Sequence, residues 1–106
     1  MRYAEFENPT AVGILSTGLG PVEVEILHIE TNTLLALSDN SAQESLVMPG
    51  VWLFPFANIV DPIVGFTQVV VKFKLLSTGD TDYSKLVLKG YVDDVRKTKI
   101  LVATTI

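Results

Sequence analysis

The chain has 106 residues, 48% of them apolar and 19% charged, a balance that excludes a disordered segment and suits one domain with its own core. It has no cysteine, which removes disulfides, thiol catalysis and cysteine-ligated zinc together. A net charge of −4 argues against general nucleic-acid binding, which needs a basic footprint.

The first residues, Met1-Arg2-Tyr3-Ala4-Glu5-Phe6-Glu7, lack the apolar run of a signal peptide. Ala11 to Ser16 reads as a strand. After the turn Gly18-Leu19-Gly20-Pro21, Val22, Val24 and Ile26 alternate with Glu23 and Glu25, the period of a half-buried strand. Leu34 to Leu37 follows across Thr31-Asn32 as the second arm of a hairpin. Ser41-Ala42-Gln43-Glu44 has capping-box form and allows at most one short helix over about Ser41–Met48, held to two turns by Pro49 and Gly50. Val51 to Phe56 is a further strand, and Pro55 places it at an edge or places the proline at the strand's end.

The rest of the chain is the best patterned. Val69, Val71, Phe73 and Leu75 alternate with Val70, Lys72, Lys74 and Leu76. Leu86, Leu88, Gly90 and Val92 alternate with Lys85, Val87, Lys89 and Tyr91, and Ile100, Val102, Thr104 and Ile106 with Lys99, Leu101, Ala103 and Thr105. The links 77–82 and 93–98 are rich in turn formers, so three consecutive antiparallel strands are expected.

Charge is unevenly spread along this order. Residues 1–71 carry Arg2 alone against eight carboxylates, a net of −7, whereas residues 72–106 carry seven basic residues against four aspartates, a net of +3. Lys72 and Lys74 share one face of their strand, as Lys85, Lys89 and Tyr91 share one face of the next. If the strands pair, these five residues make a basic face able to meet a small anionic ligand or an acidic protein. The plainer reading is a solvated sheet face neutralised by Glu23 and Glu25.

Catalytic candidates are few. His28 is the only histidine, with Glu30 two residues on, and is read as a hairpin histidine rather than half of an acid–base pair. Asp80 and Asp82 begin like a calcium loop. Lys85 stands where the loop needs glycine and Tyr91 where it needs glutamate, so neither metal nor cofactor is expected. Residues 51–66 hold the only tryptophan and three of the five phenylalanines. Pro55, Asp61, Pro62 and Gly65 interrupt this stretch too often for a membrane span. One-sided strands cannot bury Trp52, Phe54 and Phe56 together with Val51 and Leu53. Either a loop folds back over the strand, or Trp52, Phe54, Phe56, Ile63 and Phe66 meet a second copy in a symmetric dimer. In such a dimer Glu23 and Glu25 could also face Lys85 and Lys89 of the other subunit.

Two stretches resemble known families. The segment Ile26-Leu27-His28-Ile29-Glu30-Thr31-Asn32-Thr33-Leu34-Leu35, followed by Leu46-Val47-Met48-Pro49-Gly50-Val51, resembles part of a PilZ-type barrel. His28, Glu30 and Thr33 stand where that family has aspartate, serine and glycine, and Arg2 is the only arginine before residue 96. The resemblance therefore implies a degenerate barrel acting as an interaction module, without cyclic-dinucleotide binding. Val69 to Lys74, Gly79-Asp80-Thr81 and Leu86 to Val92 look like the C-terminal sheet of hot-dog thioesterases and dehydratases, which implies an acyl-thioester enzyme built round a long central helix.

The sequence thus predicts one all-β domain over residues 1–106, an antiparallel barrel or two-layer sheet of six to eight strands with at most one short helix. The expected role is a non-catalytic binding or assembly module, homodimeric and cytoplasmic, with no membrane or nucleic-acid partner. The alternative is a hot-dog-type enzyme subunit.

Overall fold

The computed structural model describes the backbone of residues 2–4, 10–15, 19–61, 63, 65–92 and 98–104, and the side chains of residues 10–15, 19–61, 63 and 65–90. Nine strands follow one another among the described residues: β1 (Arg2–Ala4), β2 (Thr10–Ile14), β3 (Val22–His28), β4 (Thr33–Leu34), β5 (Gln43–Glu44), β6 (Val51–Pro55), β7 (Gly65–Leu75), β8 (Thr81–Val92) and β9 (Thr98–Thr104). A 3-10 turn, Phe56–Asn58, follows β6. The count exceeds the expected six to eight because β4 and β5 are two-residue strands and β1 has three.

The strands form two antiparallel sheets, one of six strands in the order β1-β9-β8-β7-β3-β4 and one of three in the order β2-β6-β5. Of the two expected architectures, the two-layer one is found; no ladder among the described residues closes the sheets into a barrel. The predicted consecutive trio is β7, β8 and β9, with β3 added to β7 and β1 to β9. Pro55 ends β6, and β6 is the central strand of its sheet.

Period-two alternation dictates what each strand buries. Val22, Val24 and Ile26 of β3, and Val69, Val71, Phe73 and Leu75 of β7, point inward and are at most 1% exposed. Leu88 of β8 lies with them. The small sheet presents Ala11, Trp52 and Phe54 to this layer, and Phe56 and Ile63 close one end of the shared core. Each large side chain so buried contributes about 1.5–3 kcal/mol relative to exposure. The layers approach closely at β2: a Cβ on Gly13 would lie 2.3 Å from the Phe73 ring. Only glycine fits there, and that fixes which face of β2 turns inward.

No helix forms over Ser41–Met48. The capping box needs Glu44 to reach back to the Ser41 N–H. Instead the Ser41 N–H donates to Asp39 Oδ1 at 2.8 Å, and Glu44 Oε2 accepts the Gly50 N–H at 3.1 Å. The segment is drawn into two sheets at once. Val24 N–H donates to Asn40 O and Ala42 N–H to Val22 O, while Gln43 and Glu44 pair with Leu53 and Trp52. These long-range bonds outcompete a two-turn helix that would have been marginal alone.

Candidate interaction surfaces

The outer face of the large sheet can be read row by row from its register. Glu23, Lys74 and Thr81 lie side by side, then Glu25, Lys72 and Tyr83, then Leu34, Leu27, Val70 and Lys85, then Gln68 and Val87, and last Phe66 and Lys89. The four predicted lysines do share this face. They do not form one cluster. Lys74 and Lys72 stand opposite Glu23 and Glu25, and the Lys72 Nζ–Glu25 Oε1 distance is 3.6 Å. The pair is open to solvent, with Lys72 partly and Glu25 largely exposed, so its contribution to stability is small. Lys89 Nζ lies 5.6 Å from the Phe66 ring centroid, a cation–π contact. Tyr91 belongs to β8, but its side chain lies outside the described residues, as does the turn over 93–97.

The face therefore has two ends. One is charge-matched. The other is apolar, with Leu34 and Phe66 56% and 60% exposed, Leu27 and Val70 half-buried, and Lys85 and Lys89 along its β8 side.

The aromatic stretch corrects an expectation. Trp52, Phe54, Phe56 and Ile63 are 6%, 0%, 1% and 2% exposed and belong to the core, so they are not available as anchors of a subunit interface. The reason is the second layer. β6 turns Trp52 and Phe54 toward the large sheet, and the chain beyond it folds back so that Phe56 and Ile63 enter the same core. Of the five residues expected at an interface, Phe66 alone is exposed, on the opposite layer. Trp52 Nε1 is buried with no hydrogen-bond partner among the described residues.

His28 and its neighbours hold a hairpin. His28 pairs with Thr33, and His28 Nδ1 lies 2.6 Å from Thr31 Oγ1, which is itself 2.6 Å from Thr33 Oγ1. Asn32, at φ 53°, turns the chain. Asp80 precedes β8 beside Leu75, whereas His28 pairs with Val69, about 20 Å away along β7 at strand spacing. Asp82 Oδ2 accepts the Ile14 N–H at 2.8 Å, tying β8 to the outer edge of β2. An open cleft of about 620 Å³ beside β3 is lined by Glu23, Glu25, Leu35, Leu37, Ser38 and Asp39 among others. No group of three or more metal-ligating side chains occurs among the described residues. No described helix is long and apolar enough to cross a membrane.

A second apolar surface escaped the sequence reading. On the outer face of the small sheet Val12 and Ile14 are 50% and 67% exposed, opposite the half-buried Leu53 and Val51. The β5–β6 loop carries the surface further, with Leu46 104%, Val47 85% and Met48 60% exposed. This loop is held firmly. Ser45 Oγ accepts the N–H groups of Val47 and Met48, each at 3.2 Å, and Ser45 N–H donates to Val51 O. Val51 N–H donates to Met48 O, and Gly50, at φ 83°, gives its N–H to Glu44 and accepts the Leu15 N–H. A signal was available: three apolar residues running into Pro49-Gly50 fit a turn better than a helix end.

Comparison with protein-family models, curated proteins and solved structures found no match for this chain.

Proposed function

We propose that the protein is a non-catalytic binding or assembly module whose working surface is the outer face of the small sheet with its Leu46–Met48 loop. The observation that carries this reading is the exposure of three consecutive apolar side chains on a loop whose backbone is fixed by hydrogen bonds at both ends. A mobile loop could fold such side chains back against the protein. A braced one holds them in water, where a contiguous apolar patch marks an association surface. The surroundings favour a protein partner. No lysine or arginine occurs from Tyr3 to Val71, so the strands and loop of this surface supply no cation of their own to a phosphate backbone or an anionic headgroup. The chain has no cysteine and a single histidine, whose Nδ1 lies against Thr31 in a hairpin, which supports the non-catalytic part of the reading.

The test is binding of an environment-sensitive hydrophobic dye to the folded chain. Dye fluorescence is expected to fall severalfold in a Leu46→Ser, Val47→Ser, Met48→Ser variant with an unchanged circular dichroism spectrum. Equal dye binding by that variant overturns the surface assignment. Acyl-thioester hydrolysis that disappears in Asp80→Ala or His28→Ala overturns the non-catalytic reading in favour of the hot-dog-type enzyme.

A further inference from the structure

We propose that Met48 is an oxidation site that switches the apolar loop off: a peroxide converts its thioether to the sulfoxide and makes the Leu46–Met48 surface polar without unfolding the protein. The inference rests on the surface assigned above and adds a means of regulating it.

Methionine is an unusual side chain to leave in water, since its flexible apolar stem is normally spent on filling gaps in a core. Met48 is 60% exposed and lies outside the buried cluster. Its backbone is fixed on both sides of the side chain. The Met48 N–H donates to Ser45 Oγ, and the Met48 carbonyl accepts the Val51 N–H, each at 3.2 Å. A peroxide therefore reaches the side chain without any opening of the fold. Little else in the chain competes for it. There is no cysteine, Met1 is the only other methionine, and Met48 carries the only sulfur among the described residues. Trp52, the sole tryptophan, is 6% exposed.

The step balances with hydrogen peroxide as the oxidant. A lone pair on the thioether sulfur attacks one peroxide oxygen, so an S–O bond forms as the O–O bond breaks. Sulfur is oxidised and the peroxide reduced. The departing hydroxide takes the proton left on the transferred oxygen, which yields water and a neutral sulfoxide.

The surroundings determine what the new oxygen does. It is a hydrogen-bond acceptor, and the nearest N–H groups of the loop are already engaged. Those of Val47 and Met48 donate to Ser45 Oγ, that of Gly50 to Glu44 Oε2 and that of Val51 to the Met48 carbonyl, while Pro49 has none. The sulfoxide takes its hydrogen bonds from water instead, beside Leu46 and Val47, and an apolar partner would have to strip that water away. The bonds that brace the loop use the backbone of Met48 and not its side chain, so the frame survives the change. Sulfoxide reductases reverse the chemistry, which makes the site a switch and not a lesion.

The experiment treats the full chain and a Met48→Leu variant with hydrogen peroxide, maps oxygen uptake by peptide mass spectrometry and repeats the dye measurement. Met48 is expected to oxidise at a rate within about tenfold of free methionine in the same solution, as an exposed thioether should. Dye fluorescence of the oxidised wild type should fall about twofold at an unchanged circular dichroism spectrum, and reductases for both sulfoxide epimers should restore it. Met48→Leu keeps an apolar side chain without the sulfur, so its dye binding should be intact before and after peroxide. Met48→Gln, which puts a polar amide at the same place, should match the oxidised wild type. Oxidation slower than that range overturns the proposal, as does unchanged dye binding by the sulfoxide, an equal fall in Met48→Leu or a circular dichroism spectrum lost on oxidation. If the triple serine variant loses dye binding and the sulfoxide does not, the switch falls and the surface assignment stands. If the triple serine variant binds dye like the wild type, the surface assignment falls and takes the switch with it.

Discussion

Strand β6 and the loop that leads into it are adjoining stretches of nearly equal hydrophobicity with opposite fates. Trp52 and Phe54 on the strand are buried, whereas Leu46, Val47 and Met48, a few residues earlier, stand in solvent. The difference lies in pairing. β6 is central in its sheet, held by β2 on one side and β5 on the other, so its inner side chains have no course but into the opposite layer. The loop has its backbone bonds satisfied by Ser45, Glu44 and Val51, and that geometry leaves its side chains without a layer to enter. Apolar content alone therefore does not decide burial; the hydrogen-bonded frame decides which apolar residues have something to pack against.

The sharpest way to break this comparison is on the strand. Phe54→Ala removes a fully buried ring from the middle of the core and is expected to cost about 3–5 kcal/mol. Urea denaturation should show this as a lower midpoint at an unchanged slope. A cost under about 1 kcal/mol would mean that the two layers do not pack through β6 in solution.

That strand was largely legible in the sequence, and so were β3, β7 and β8, because a period of two needs only local pattern. What the pattern could not supply was the partner of each strand. Neutralisation of the basic face by Glu23 and Glu25 is the plainer reading of the sequence, but only register shows which lysine each meets, Lys72 opposite Glu25 and Lys74 opposite Glu23. The short helix that the sequence allowed over Ser41–Met48 does not form, for the same reason: its capping residues are claimed by Asp39 and Gly50 and its backbone by β3 and β6. Most instructive is β2. Volume alone would turn Val12 and Ile14 inward and leave Ala11 and Gly13 outside. The structure reverses this because the Phe73 ring occupies the space facing Gly13. A clash between residues sixty positions apart exposed the valine and isoleucine, and no local pattern encodes it.

Within the buried strand, Trp52→Phe sharpens the comparison by a smaller step. The change removes indole volume, which costs stability, and removes an N–H that is buried without a partner among the described residues, which restores some. The two effects oppose each other, and the net loss is expected to be about 1 kcal/mol or less, far below that of Phe54→Ala. A loss well above about 2 kcal/mol would show that the indole N–H is hydrogen-bonded in solution.

The smallest effect belongs to the loop. Leu46 is fully exposed, so Leu46→Ser removes no buried area, opens no cavity and leaves the Ser45 and Gly50 bonds that brace the loop in place. Its effect on the stability of the monomer should fall within about 0.5 kcal/mol of zero, the range of substitutions at open surface. Thermal unfolding measured at low protein concentration checks this without interference from association. A loss above about 1 kcal/mol would place Leu46 against the core after all. The loop would then differ from β6 in degree only, and the apolar surface on which the proposed function depends would lose its most exposed residue.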